Sequence, residues 1–423
     1  MVAKVANSIT EEQKLRIIDE VGSLITEFYF NEDIAEKIVK RLQEDLKSGH
    51  YRDIKDVRAF TALIEQVFNE ISKDKHLHIW YDPEEVKKIR IMEIEGNNEE
   101  KLRLRQDKIH RESESNFGFK KIEILDGNIG YLELTYFAHP DYAAETAIAA
   151  MNVLANVDAL IIDLRKNGGG EHHMVQLVNS YFFEESIMLN YMKKRHKEFD
   201  EQIWTLPYVP GKKLLSTDIY LLSSRNTFSA AEDFIYGLVN RKRALLIGEQ
   251  TKGGAHPCVF KATDDGLALL IPEGETLNPV SKTSWESTGI SPDILVSCDQ
   301  AFAAAYQLAI EKLMKQTTDE KPQLWYQLAL EKIKGQQSVK NVEDAYLRRI
   351  QGKYGNFEII YEDHSLYLVT RRQKIHLTPV TEKLFLDEDG YFIMIEGVEG
   401  LPKERRLLIF YEKEKRIDIF CND

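Results

Sequence analysis

Apolar positions in the first 75 residues recur at helical intervals. Leu15, Ile18, Val21, Leu24, Ile25 and Phe28 share one face of a 3.6-residue helix, and Thr10 with Gln13 has capping-box spacing just ahead of them. Two further periodic runs, Ile34 to Leu46 and Val57 to Ile71, are separated by the turn-prone Lys47-Ser48-Gly49. The pattern predicts a three-helix bundle over residues 1–83, which the alternating segment HLHIWYD leaves as a strand. Residues 84–116 are dense in both signs of charge and read as a solvated helix or linker.

The period changes from Phe119 onward. FKKIEIL and IGYLELTYF alternate around Asp126-Gly127-Asn128, a hairpin signal. AAETAIAAMNVLANV reads as a helix, and DALIIDL as the continuous apolar run of a buried strand. A helix from His172 to Phe183, the strand DIYLLSS, a helix from Ser229 to Asn240, the strand ALLIGE and a helix from Asp299 to Met314 follow. Strand-helix-strand repetition of this kind predicts an α/β core with crossover connections over residues 117–316. A helical connector is expected over 317–344. Short alternating strands from FEIIYE to RIDIFC then predict an antiparallel β-sheet or small barrel over 345–423.

Composition narrows the partners. The 423 residues exceed what one core holds and fit two or three domains. With 43% apolar and 30% charged residues, disorder over most of the length is excluded. A net charge of −13 repels phosphate backbones, so no nucleic acid partner is expected. No stretch approaches ~20 consecutive apolar residues, so no integral membrane segment is expected. The opening MVAKVANSITEEQKLR lacks the apolar core of a signal peptide, which fits a cytoplasmic protein or a chain whose signal was removed. Cys258, Cys298 and Cys421 offer neither a disulfide framework nor metal-ligand spacing.

Two stretches carry candidate chemistry. DLRKNGGG, Asp163 to Gly170, ends an apolar strand just before a helix, where consecutive glycines let backbone N–H groups approach an anion. It lacks the Lys-Ser/Thr of a P-loop and the spacing of a dinucleotide fingerprint, and a tetrahedral acyl-transfer intermediate is the other anion such donors suit. A plain strand-to-helix turn also fits. In NTFSAAEDF, Ser229 lies where a buried strand passes into a helix, with the Ala230 amide pointing the same way. Ser229 and Glu232 equally have capping-box spacing, and the G-x-S-x-G elbow is absent. Among eleven histidines, His76, His78, His172, His173 and His256 stand near these stretches or the bundle exit; spacing alone does not choose a base, and no H-E-x-x-H suggests zinc.

The order DLRKNGGG, NTFSAAEDF, GEQTKGGAHP and NPVSKTSWESTGISPDI resembles the C-terminal-processing (tail-specific) serine peptidase family. The similar branch is the one that includes interphotoreceptor retinoid-binding protein, and the resemblance runs over about Asp74 to Val296. It implies a crotonase/ClpP-like α/β core between an N-terminal helical bundle and a C-terminal antiparallel β-domain. It implies Ser229, in the T-x-S-A-x-E segment, as nucleophile, and His76, in Asp74-Lys75-His76-Leu77, as base where the branch has Asp-Gly-His-Leu. By similarity to the tricorn protease core, Glu286 of Trp285-Glu286 would orient and support the histidine. Gly168 or Gly169 and Ala230 would then hold the oxyanion. Relatives of the other branch use a lysine base in G-E-x-T-x-G-K-G, but here a glycine, Gly254, stands at the lysine position. Those relatives also insert a PDZ domain, for which residues 84–116 are too few and too charged. The resemblance thus implies hydrolysis of peptide or protein substrates without metal or organic cofactor, an extracytoplasmic setting and a possible homo-oligomer. Two rivals stay open: an inactive binding protein for apolar ligands or peptides, and a crotonase-like acyl-CoA enzyme with no serine nucleophile.

Overall fold

The computed structural model describes residues 8–96, 98–195, 197–198, 200–337, 342–397 and 405–422. The chain forms two compact units, residues 1–124 with 130–302, and residues 125–129 with 303–423.

The first unit opens with α1 (Glu11–Phe28), α2 (Glu32–Lys47) and α3 (Val57–Ser72). Thr10 and Gln13 close the reciprocal box: Gln13 N–H donates to Thr10 Oγ1 (3.2 Å) and Thr10 N–H to Gln13 Oε1 (2.9 Å). The apolar stripes meet in one buried cluster that includes Ile17, Val21, Ile38, Leu42, Phe60 and Ile64. Lys73 ends α3 in the left-handed region (φ 56°), turning the chain sharply into Asp74–Leu77 and then β1 (His78–Tyr81). Asp82 and Asn98 cap α4 (Pro83–Glu93) and α5 (Glu99–Ser113), which occupy the charged segment; α5 buries no residue.

The core strands are β2 (Phe119–Leu125), β3 (Ile129–Leu134), β4 (Ala159–Asp163), β5 (Met188–Lys194), β6 (Glu201–Trp204), β7 (Asp218–Ser223), β8 (Ala244–Gly248), β9 (Cys258–Ala262), β10 (Leu267–Pro272), β11 (Gly274–Leu277) and β12 (Ile294–Leu295). They are interleaved with α6 (Pro140–Val153), α7 (His172–Asn179) and α8 (Ala230–Val239). One sheet has the order β12-β8-β7-β4-β3-β2, with β4, β7, β8 and β12 parallel. Every residue of β4 is buried, as expected for a parallel strand covered on both faces.

A second sheet, β1-β10-β9, was not foreseen from the sequence. β1 pairs antiparallel with β10, His78 opposite Leu270 and Tyr81 opposite Leu267. Leu77, Ile79, Leu267, Leu269 and Ile271 join the same buried cluster as the three helices. The bundle is therefore welded to the core by backbone hydrogen bonds and by shared apolar burial.

α9 (Cys298–Gln316) carries the chain into the second unit, which continues with α10 (Glu320–Gln337) and α11 (Asp344–Arg349). Eight strands follow in sequence order as one antiparallel sheet, from β13 (Gly352–Tyr354) to β20 (Arg416–Cys421). A bridge between Tyr354 and Asn422 brings first and last strands together, so the sheet is barrel-like. Leu366, Leu377, Phe385, Ile393 and Leu407 fill it. Among the described residues no helix is long and apolar enough to cross a membrane.

Candidate active site

Because β4 and β7 are parallel neighbours, the turns leaving their carboxyl ends lie side by side. The two turns are stitched together. Ser224 Oγ donates to Arg165 O (2.6 Å), Thr227 Oγ1 to Leu164 O (2.9 Å) and Phe228 N–H to Asn167 O (3.1 Å). Ser229 emerges with φ 56° and ψ −122°, a conformation that costs a serine about 1–3 kcal/mol and persists only where its surroundings enforce it. Glu232 Oε2 accepts the Ser229 N–H (2.9 Å), while the Ser229 hydroxyl lies 3.1 Å from His76 Nε2. The capping and the chemical readings of this serine thus coexist.

Gly169 packs against the same serine. A Cβ there would stand 2.8 Å from Ser229 Cβ, and its φ of +114° is one that side chains rarely adopt. Its N–H donates to Asn167 Oδ1 (2.9 Å), so the donor expected of Gly169 is turned into the loop's own scaffold. Gly168 is exposed, with nothing within 4 Å of an added Cβ, and Ala230 begins α8.

His76 arrives from the other side, on the turn between α3 and β1. It is 6% exposed, and its N–H donates to Asp74 Oδ1 (2.9 Å). The imidazole stacks on Phe228, with centroids 4.4 Å apart and planes at 25°. A Cβ on Gly254 would lie 2.6 Å from His76 Cε1. The histidine and Phe228 therefore fill the space that a side chain at the lysine position of the other branch would need. Lys252 is not at the hydroxyl: its Nζ lies 4.5 Å from the Phe228 ring centre. Lys75, which departs from the branch pattern, donates to the carbonyls of Lys252 and Ser287 and ties the turn to the core.

Glu232 was legible only as a cap, and it does more. Its Oε1 accepts Thr251 Oγ1 (2.5 Å) and Gly253 N–H (2.7 Å), and its Oε2 accepts Gly254 N–H (2.9 Å) besides Ser229 N–H. Burial raises this carboxyl above its ordinary range against those donors. Trp285 Nε1 donates to Gly254 O (2.8 Å), so the Gly254 peptide unit is held from both sides. The available signal was a pair of acids, Glu232 and Asp233, in the first turn of a helix whose other residues are apolar or glycine.

Behind His76 lies a buried acid–base network. Asp74 Oδ2 accepts Tyr29 OH (3.2 Å) and His256 Nδ1 (2.7 Å). Glu286 Oε2 accepts Ala255 N–H (2.6 Å) and stands 3.7 Å from His256 Nδ1. One ligand-type atom each of Asp74, His76 and Glu286 lies within 4.8 Å of the others, while His76 Nδ1 is buried without a hydrogen-bond partner among the described residues. Burial pushes His76 down to about 4, overcoming Asp74, with the His256 charge adding to the depression. Burial also opposes charge on His256, but the Asp74 hydrogen bond and the two carboxylates raise it. Burial raises Asp74, but the His256 bond and charge together with the His76 N–H hold it below its ordinary range. Burial thus favours the neutral form of the first histidine, while the carboxylates favour the charged form of the second.

Asp74, His76 and Glu286 are the one group among the described residues with metal-ligand chemistry. Asp74 already accepts three donors, so the group is built as a hydrogen-bonded network. The remaining candidate histidines are engaged elsewhere or with each other. His78 meets Glu65 (2.7 Å) and the Lys75 carbonyl (3.0 Å), and His172 lies against His173 with ring centres 4.0 Å apart.

Residues 128–296 match the family model of Peptidase family S41, and residues 4–114 match that of the N-terminal domain of Peptidase_S41 in eukaryotic IRBP. The chloroplastic carboxyl-terminal-processing peptidase 2 of Arabidopsis thaliana is 28% identical over 170 residues, covering 39% of this chain and 31% of its own. A carboxyl-terminal-processing protease of Picosynechococcus sp. is 26% identical over 233 residues, covering 54% and 50%. The chain thus spans about a third to a half of the length of these curated relatives. Among solved structures, the photosystem II D1 C-terminal processing protease is 16% identical with a TM-score of 0.46, covering 69% of this chain and 94% of that one. The segment preceding the S41 match runs through α4 and α5 and ends at residue 114. This chain carries a peptidase family S41 domain behind an N-terminal domain of the IRBP type.

Proposed function

We propose that the chain is a serine peptidase that hydrolyses peptide bonds in peptide or protein substrates. The observation that carries this reading is the 3.1 Å approach of His76 Nε2 to the hydroxyl of a strained Ser229. His76, neutral in the resting site, takes the hydroxyl proton as Ser229 attacks the carbonyl carbon, then returns it to the leaving amine. Water deacylates the enzyme by the same route in reverse. The imidazolium formed in between needs a carboxylate at Nδ1, and Glu286 is the carboxylate the motif order assigns to it. It would reach Nδ1 by releasing its bond to the Ala255 N–H. The oxyanion falls to the amides of Ala230 and Gly168, since the Gly169 N–H is occupied by Asn167. The base comes from the bundle side and the nucleophile from the core, so the β1–β10 pairing is part of the catalytic apparatus. The family resemblance favours an extracytoplasmic setting.

The test is cleavage of a peptide library by wild type and by Ser229→Ala, with contaminating proteases excluded. Loss of cleavage in the variant supports the reading. Equal cleavage by the folded variant removes it, and no cleavage by either protein transfers the weight to ligand binding on an inactive site.

A further inference from the structure

The network behind His76 contains a second histidine to which the reaction as proposed assigns nothing. His256 is partly buried, and its ring packs on Phe30 with centres 4.5 Å apart. The titratable groups facing it come from several elements. Asp74, itself bonded to Tyr29, and His76 lie on the bundle exit; Glu286 follows Trp285; Glu275 lies on β11; and Cys258 donates to the His256 carbonyl (3.3 Å). Nδ1 of His256 touches Asp74 at 2.7 Å and stands 3.7 Å from Glu286. Those two carboxylates are also the ones gathered around His76, whose Nδ1 has no partner. Two imidazoles therefore share one pair of carboxylates, the buried Asp74 and the partly buried Glu286.

We infer that His256 is a positioning residue that competes with His76 for Asp74 and Glu286, so that proton loss from His256 readies the base. This rests on the serine-peptidase reading. With His256 protonated, its Nδ1–H holds Asp74, and its charge keeps Glu286 near Ala255 and disfavours the second positive charge that His76 must accept during attack. When His256 gives its Nε2 proton to solvent, its Nδ1–H stays on Asp74 but the positive charge between the carboxylates is gone. Their field then acts on His76 alone, and Glu286 is freer to move toward Nδ1. The sign follows. His256 is charged below its folded pKa, which Asp74 and Glu286 raise, and neutral above it, so the rate climbs with pH through the His256 titration. Between about 4 and that point His76 favours its neutral form, so its own protonation is not what limits the rate there.

The test joins a kinetic readout to one that needs no activity. Fluorophosphonate labelling of Ser229 is timed between about pH 6 and about pH 9 in wild type and in His256→Gln, which keeps an amide for Asp74 but carries no charge. The wild-type rate is expected to rise about tenfold or more across the range, and the variant's to change by less than about threefold. In parallel, the ring resonances of His76 and His256 are followed by NMR titration. In wild type the His76 signals should sense the His256 titration, and in His256→Gln the His76 midpoint should rise by about one unit. A His76 titration blind to His256 in the wild-type protein, or a pH profile unchanged in a folded His256→Gln, overturns the inference. If Ser229 neither labels nor turns over while the two histidines remain coupled, the peptidase reading fails and the coupling stands.

Discussion

The two sides of the site are made in opposite ways. On the core side, Ser229 and the glycine run leave adjacent parallel strands, and the bonds that stitch the two turns together lie largely within or beside the motifs DLRKNGGG and NTFSAAEDF. On the bundle side, His76 has few local partners. It is placed by β1 pairing with β10, about 190 residues further along the chain, by the Lys75 contacts to Lys252 and Ser287, and by stacking on Phe228. A nucleophile written into short motifs is fixed by its fold; a base delivered by a long-range strand pair depends on that pair. The teaching is that strain and preorganisation belong to the first side, and alignment to the second.

Substitutions separate the two. The largest effect is expected at His76. His76→Ala should lower kcat by about 10²–10⁴-fold with the fold intact by circular dichroism, since it removes the base and leaves the nucleophile side untouched. Turnover near wild type in that variant would break the comparison on its bundle side. On the core side, Gly168→Pro removes one oxyanion N–H and should cost about 10²–10³-fold in kcat, whereas Gly168→Ala, which meets open space, should be nearly silent. Equal rates for the proline and alanine variants would move the donor elsewhere.

Gly254→Ala probes where the sides meet. Its methyl would press on His76 and Phe228 and displace the imidazole by a fraction of an ångström or more. A loss of about 10²-fold in kcat is expected, with Ser229 and its loop unmoved, because small misplacements of a catalytic group carry costs of that order. The smallest effect is reserved for Lys75→Ala. It deletes two tethers to backbone carbonyls at the surface and should change stability by about 0.5 kcal/mol or less in a urea melt. A large loss would make the turn, and not the strand pair, the main anchor of His76.

This asymmetry also explains how far the sequence could be read. The three helices announced themselves because their apolar stripes and the Thr10–Gln13 box are local features, and β4 and β7 because parallel strands are continuous apolar runs. β9, β10 and β11 were not read. Residues 267–272 are apolar without alternation, and nothing local says that their partner is the strand leaving the bundle. β13 is three residues long, too short for any period to register. Within the site, Ser229 and its neighbours were legible from motif order. The three bonds that Glu232 accepts from Thr251, Gly253 and Gly254 and the bond from His256 to Asp74 were not, since each joins segments apart in sequence.

The most direct measurement of the central claim is the rate at which a fluorophosphonate modifies the protein, followed by intact mass with the adduct mapped to a peptide. The account predicts a single adduct on Ser229 in wild type, none in Ser229→Ala, and labelling slowed by about 10²-fold or more in His76→Gln. An adduct on another serine, or labelling of Ser229 at an unchanged rate without His76, would contradict it.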